Sequence, residues 1–280
     1  MKKYITYFAL FFWSIAFILI FKYSTLVKES IVDSLTLWAT VLIPSMLPIY
    51  IVTDLLLNYG LQEVFYKLFK SNTILLVLIS LLSGTPTNAK YIVEFYEHGY
   101  IGEKTGNFLL LFSYSPNPLF VIAFSPDLGV AMTVLSYIYL SNLAIFLIFK
   151  PKFSLEKNRP ISASKSSFID CLSSSIMKSS DVLILILGVV VVYGIANSFA
   201  GVFGIDSYFF SSLLELTNAL NIIKMHGFSL LWFMFACTFG GLSIHTQIRS
   251  ILEGTPLAYK YFSIGRLLAS LPLLGLIVFR

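Results

Sequence analysis

The sequence predicts an all-α, polytopic membrane protein: an inverted repeat with two re-entrant helical hairpins and broken transmembrane helices. Three observations carry that expectation. Hydrophobic residues fill 57% of the 280 positions and charged residues 12%, and the mean hydropathy is +0.85, far outside soluble-domain usage. Several apolar runs are long enough to cross a bilayer. Other apolar runs are interrupted by hydroxyl- and amide-rich breaks, which a bilayer tolerates only where the backbone is buried in protein or lines a wet cavity.

The leading interruption is Ser83-Gly84-Thr85-Pro86-Thr87-Asn88-Ala89-Lys90. Gly84 frees the backbone, and Pro86 removes a donor and disfavours helix at Thr85. At about 1.5 Å per residue, the apolar run before it reaches roughly half of a ~30 Å hydrocarbon core, so the break falls near the midplane. A similar stretch recurs as Gly240-Gly241-Leu242-Ser243-Ile244-His245-Thr246-Gln247. The two are expected to meet as one substrate site, with 85–88 and 243–246 in side-chain reach.

Taken in order, span 1 covers residues 4–21 behind Lys2 and Lys3. It has no convincing small-residue cleavage site, so it reads as a retained helix and not as a signal peptide. Span 2, residues 34–53, carries Pro44 and Pro48 as kinks; residues 60–72 are short and mixed and suit an interface. The first interrupted segment is 74–98, span 3 is 105–124 with its own break at Ser115-Pro116-Asn117-Pro118, and span 4 is 128–149. Residues 150–165 hold Lys150, Lys152, Lys157, Arg159 and Lys165 against Glu156 and form the linker. Beyond it lie span 5 (182–200), a shorter apolar piece (208–223), the second interrupted segment (228–253) and span 6 (261–279). The corresponding domains are an N-terminal transmembrane helix 1–29, a first repeat with an extra span 30–149, a basic cytoplasmic linker 150–166 and a second repeat 167–280.

The net charge of +5 needs no nucleic-acid partner, because the basic residues sit in loops where the positive-inside bias explains them. With the N-terminus and the linker both cytoplasmic, an even number of crossings separates them. Segment 74–98 must then enter and leave on the cytoplasmic side. The halves also resemble each other: Ser30-Ile31-Val32-Asp33-Ser34-Leu35 precedes span 2, and Ser167-Phe168-Ile169-Asp170-Cys171-Leu172 precedes span 5. Each half reads span, interrupted segment, span, and the two run in opposite directions. That plan places discontinuous helices and a site at the midplane, as in many secondary transporters.

Leu42-Ile43-Pro44-Ser45-Met46-Leu47-Pro48, the Ser83–Lys90 stretch, Ser115-Pro116-Asn117-Pro118, Leu214-Glu215-Leu216-Thr217-Asn218 and the Gly240–Gln247 stretch occur in this order. Together they resemble the sporulation integral membrane protein YlbJ family, over roughly residues 30–275. The resemblance implies paired nucleoside-recognition ("Gate") domains and a fold like that of concentrative nucleoside transporters. It also implies a role in endospore formation, with dipicolinate crossing a forespore membrane as the suggested traffic. Ala219 stands where a glycine often follows the Thr-Asn pair, and the chain looks shorter than typical members.

The candidate substrate-binding residues are Ser83, Thr85, Thr87, Asn88 and Lys90 at the first break and Ser115 and Asn117 at the Pro-Asn-Pro break. Glu215, Thr217 and Asn218, then Ser243, His245 and Gln247 at the second break, and Arg266 in span 6 complete the set. Each has a plainer reading. Thr85, Thr87 and Asn88 cap a helix arm, Lys90 snorkels, Arg266 pairs with Glu215, and His245 is a fixed hydrogen-bond partner. In the functional reading Lys90 and Arg266 face an anion, Glu215 couples a proton or cation, and Asn117 exposes carbonyls that its flanking prolines leave free. Cys171 and Cys237 read as small buried hydrophobes. No nucleophile–base pair, metal-ligand spacing or phosphate loop stands out, so no enzyme, metal or cofactor is expected. The expected partners are the lipid bilayer and a small anionic solute, with a homo-oligomer left open. A small-organic-anion transporter is the leading reading; the alternatives are a non-transporting scaffold or subunit in spore-envelope assembly and a nucleoside permease.

Overall fold

A computed structural model of the protein describes residues 2–150, 167–205, 207–225 and 227–279, all helices and connections with no strand among them. The expected linker therefore lies, from residue 151 to 166, outside the described residues. Helix α1 spans Lys2–Lys22. Helix α2 (Ser24–Leu37) passes through a π-helical segment, Trp38–Leu42, into α3 (Ile43–Asn58), forming one continuous rod of 35 residues. The wide turn precedes Pro44, which has no N–H to offer, and the Ile43 N–H reaches back to the Trp38 carbonyl.

After the short amphipathic α4 (Leu61–Phe69) come α5 (Asn72–Ser83) and α6 (Thr87–Glu97), the arms of a hairpin. Its open base is tied by Asn72 Nδ2, which donates to the Tyr100 carbonyl at 3.1 Å, so the chain leaves on the side it entered. Helix α7 (Glu103–Phe112) and α8 (Pro118–Phe124) are separated by extended backbone at 113–117, and α9 (Leu128–Phe149) recrosses. In the second half α10 (Phe168–Val202), again 35 residues long, precedes α11 (Tyr208–Leu214), α12 (Leu216–Met225), α13 (Leu230–Phe239), α14 (Gly241–Leu252) and α15 (Tyr259–Val278).

The two long rods run antiparallel. Ser175, early in α10, donates to Asp54 near the end of α3 at 2.7 Å, while Gly194, late in α10, lies against Ser30 and Ser34 of α2. Both rods start earlier than the apolar runs 34–53 and 182–200, and the division expected at 29/30 falls inside a helix. Their N-terminal thirds carry serines that face the partner rod and not lipid, so hydropathy understates them: Ser30, Ser34, Ser175 and Ser179 are all buried.

The second hairpin is not residues 228–253, as the sequence suggests, but α11–α12. Those two helices pack on each other around a single extended residue, Glu215. At Gly240 and Gly241, both left-handed (φ +86° and +68°), α13 and α14 diverge: α13 goes to α15, and α14 to α10 and α6. Segment 228–253 is thus a broken helix like α7–α8. Each half now reads long rod, hairpin, broken helix, full span, in place of span, hairpin, span. In this register Thr87-Asn88-Ala89 and Thr217-Asn218-Ala219 occupy the same place, at the start of each hairpin's second arm.

The molecule exposes an apolar surface and buries polar side chains beside its hydrophobic core. Leu140, Leu147, Ile148, Ile184, Leu276 and their like are exposed, whereas Asn142, Thr238, Gln247 and Arg266 are buried. Among the described residues, four helices, α2–α3, α9, α10 and α15, are long and apolar enough to cross a bilayer. The protein is a multi-pass membrane protein.

Candidate functional site

The breaks of the two halves converge on one enclosed space. A cavity of about 30 Å³ is lined by Thr85 and Pro86, Pro116 and Asn117, Glu215 to Thr217, and Ile244 and Gln247. Leu42 and Met46 of the first rod and Ile186 and Val190 of the second close it. Counted from the starts of the rods, a register seven residues away from the expected match of 30–35 with 167–172, Leu42 and Met46 correspond to Ile186 and Val190, so the walls are equivalent positions of the two rods. The volume holds about one water.

Within each half the hairpin tip is pressed onto the broken helix. The Thr85 N–H donates to the Ser115 carbonyl at 2.7 Å, and Asn88 Nδ2 to the Ser113 carbonyl at 3.2 Å. Asn117 caps α8 through Oδ1, which accepts from the Leu119 N–H at 2.9 Å; its Nδ2 donates to the carbonyls of Ser45 and Ser83. A Cβ at Gly84 (φ +76°) would collide with the Asn117 backbone, so the close approach needs glycine twice over. In the other half Gly241 does the same office: its Cβ position is 3.1–3.3 Å from backbone atoms of Leu216, Leu214 and Glu215.

Two helices of ten or more residues, α6 and α12, start at this cavity, and α14 lines it further along with Ile244 and Gln247. Each helix N-terminus carries a partial positive charge of about +0.5. Glu215 is the ionisable residue among those lining the cavity, and it is 2% exposed. Its carboxylate is already engaged, accepting from the Asn218 N–H at 2.7 Å and from Thr217 Oγ1 at 2.8 Å. Thr85 Oγ1 is buried in the wall without a hydrogen-bond partner; Ser243 Oγ lies beside Glu215, and Thr87 Oγ1 beside the Tyr50 hydroxyl.

Of the predicted site residues, the cavity lining therefore gathers Thr85, Asn117, Glu215, Thr217 and Gln247. Ser83 and Ser115 serve it through their carbonyls, while their hydroxyls bond locally to Ile79 O and Pro116 O. Thr87 and Asn88 sit behind the tip, and Asn218 turns to the opposite face of α12 into a second cavity. His245 bonds Tyr259 Oη at 2.7 Å through Nδ1 and is boxed by Phe239 and Phe262, which is the fixed-partner role.

The two cations depart from expectation. Lys90 does not face the tip; its Nζ donates to the Lys178 carbonyl on α10, three residues and nearly a full turn past Thr87. Arg266 neither lines the cavity nor pairs with Glu215, whose oxygens Thr217 and Asn218 occupy. Fully buried, it stacks on the Tyr114 ring at 4.1 Å and donates to Asn142 Oδ1 at 3.1 Å and to the Thr238 carbonyl at 3.4 Å. Asn142 in turn donates to the Tyr114 carbonyl, and Tyr114 Oη donates to the Cys237 carbonyl at 2.7 Å. The carbonyls at 237–238 belong to the C-terminal end of α13. One negative dipole end, the Tyr114 ring face and the Asn142 amide oxygen thus meet the guanidinium, which explains a buried arginine held without a carboxylate. Gly265 permits this by letting α15 press against the Leu111 carbonyl.

Sequence reasoning missed Tyr114, Asn142 and Thr238, which carry no spacing signal. It also missed the pairing of the two Thr-Asn-Ala stretches, a signal that was present but sat in a segment read as one short apolar piece.

No protein-family model matches the chain, and no solved structure matches it. Among curated proteins it is 23% identical over 301 residues to the sporulation integral membrane protein YlbJ of Bacillus subtilis (strain 168), an alignment covering 86% of this chain and 74% of that protein. An integral membrane relative matched over most of its length agrees with the fold, and this homology supports the YlbJ family for the chain.

Proposed function

We propose that the protein is a secondary transporter or channel-like permease for a small organic anion, with dipicolinate during endospore formation as the candidate cargo. Its homologue is a sporulation integral membrane protein, which is consistent with a membrane role in sporulation. The observation that carries the anion reading is the convergence of the α6 and α12 N-termini on one cavity with the unpartnered Thr85 hydroxyl in its wall. Such termini, and not Lys90 or Arg266, supply the positive field for a carboxylate. Glu215 occupies that field itself, so an arriving carboxylate competes with it for the same N–H groups. Cargo enters when Glu215 is neutralised by a proton or swings aside, and the cavity widens as it does so.

The test is flux from proteoliposomes loaded in turn with dipicolinate, other carboxylates and nucleosides. The expected result is dipicolinate efflux well above protein-free vesicles, lowered several-fold in Thr85→Val, and tighter anion binding in Glu215→Gln by about tenfold, or ~1.4 kcal/mol. Nucleoside flux without anion flux would replace the cargo class. Folded protein that moves none of the panel would favour the scaffold reading.

A further inference from the structure

In an inverted repeat every position has a counterpart facing the opposite membrane surface, so a difference between counterparts marks which side is open. Asn88 and Tyr91 on α6 correspond to Asn218 and Asn221 on α12. The first two are each 3% exposed, and the second two are half-buried in the wall of a polar cavity of about 490 Å³. Ser30, Thr36 and Asn197 from the outer halves of the rods complete that wall. Its floor is the first turn of α12, where Thr217 lines the central cavity and Asn218 the vestibule. Loop charge puts the start of α2 and the end of α10 on the non-cytoplasmic side.

On the cytoplasmic side the matching space is filled. Lys178 Nζ is 2.8 Å from Glu94 Oε1 and 3.7 Å from Asp54 Oδ1, and Asp54 also accepts from Ser175 Oγ. Lys90 adds its bond to the Lys178 carbonyl. Rods α3 and α10 and hairpin arm α6 are thereby fastened together. In the register of the rods, Lys178 corresponds to Ser34 and Asp54 to Ser198, both small and uncharged. The vestibule side has no such charges at those positions with which to shut in the same way.

We infer that the Ser30–Asn218 vestibule is an access site for a small polar solute on the non-cytoplasmic side, and that the Lys178–Asp54–Glu94 cluster is the closed gate opposite it. Hydroxyls and amides dominate the vestibule wall, with Asp33 as its charged member, so solute is held there by hydrogen bonds. The inference rests on the transporter reading of the central cavity, but its test needs no cargo.

In a background with Cys171→Ser and Cys237→Ser, single cysteines are placed by Asn221→Cys and Tyr91→Cys. Each is treated in oriented vesicles with a membrane-impermeant thiosulfonate from its own surface. Asn221→Cys should react at least tenfold faster. Adding Lys178→Gln should raise the Tyr91→Cys rate several-fold and lower that of Asn221→Cys, while Lys178→Arg should restore the original ratio. Ala89→Cys on the same arm replaces Tyr91→Cys if that variant does not fold. Equal starting rates, or rates changed less than twofold by Lys178→Gln, would overturn the inference. The expected pattern in vesicles that move no solute would keep the gate and sink the transport reading.

Discussion

Replacing Arg266 distinguishes a ligand from a fastener. Arg266→Met keeps length and apolar bulk while removing the charge, and Arg266→Lys keeps the charge without the planar fork. In the structure the methionine forfeits a desolvated cation–π contact worth about 2 kcal/mol and two charged hydrogen bonds of about 1.5–3 kcal/mol each. The C-terminus of α13 also loses its cation, at up to ~2 kcal/mol. Against this stands the relief of no longer burying a charge, which is several kcal/mol. A net loss of about 3 kcal/mol remains, and at roughly 2–4 °C per kcal/mol the melting temperature should fall by about 6–12 °C. Lysine should fall nearly as far, since one ammonium cannot stack on Tyr114 and reach both Asn142 and Thr238. Thermal unfolding in detergent, paired with flux of an anionic and a neutral cargo, reads both effects. Surviving protein should lose the two fluxes equally. An unchanged melting temperature with selective loss of anion flux would show that Arg266 touches cargo, and the fastening argument would fail.

Further expectations follow from the packing and the topology. Gly84→Ala must force a Cβ into the Asn117 backbone at a positive φ, so folded yield should collapse; wild-type yield and melting temperature would contradict the tip contact. Cysteines at Thr85 and Ile244, which share a cavity of one-water size, should cross-link readily with a short bifunctional reagent in the Cys171→Ser, Cys237→Ser background. A single cysteine at Lys157 should label from the cytoplasmic side and one at Asp127 from the opposite side; labelling of both from one side would remove the inverted arrangement.

Composition and break positions made much of this fold legible. Gly84, Pro86, Pro116 and Pro118 each disable a helix for local reasons, and local reasons can be read from sequence. The antiparallel rods were half legible: hydropathy caught their centres and missed their serine-bearing ends, which face each other. The second hairpin is hidden in the sequence because α11–α12, which carries Ser211, Ser212, Glu215 and Asn218, reads as one short apolar piece, while the Gly240–Gln247 break looks like a hairpin tip. The site was legible as a meeting of breaks, down to Thr85, Asn117, Glu215 and Gln247. The cations misled because charge in a membrane invites a ligand, whereas the actual counter-charges at Arg266 are backbone carbonyls, which every sequence contains and none advertises.

The knot at Arg266 has a mechanical consequence. It joins α7 and α9 of one half to α13 and α15 of the other at a single buried point, with Tyr114 wedged between them. A joint of this kind resists sliding, because translation would break the stack and every hydrogen bond together. It resists a small rotation less, since a turn in the plane of the guanidinium keeps the ring covered and strains the hydrogen bonds to Asn142 and Thr238 alone. In the transporter reading, the four helices around it would act as a fulcrum, with the two rods and their hairpin tips as the arms of a lever. On such a lever, a small tilt at the axle opens one end by as much as it closes the other.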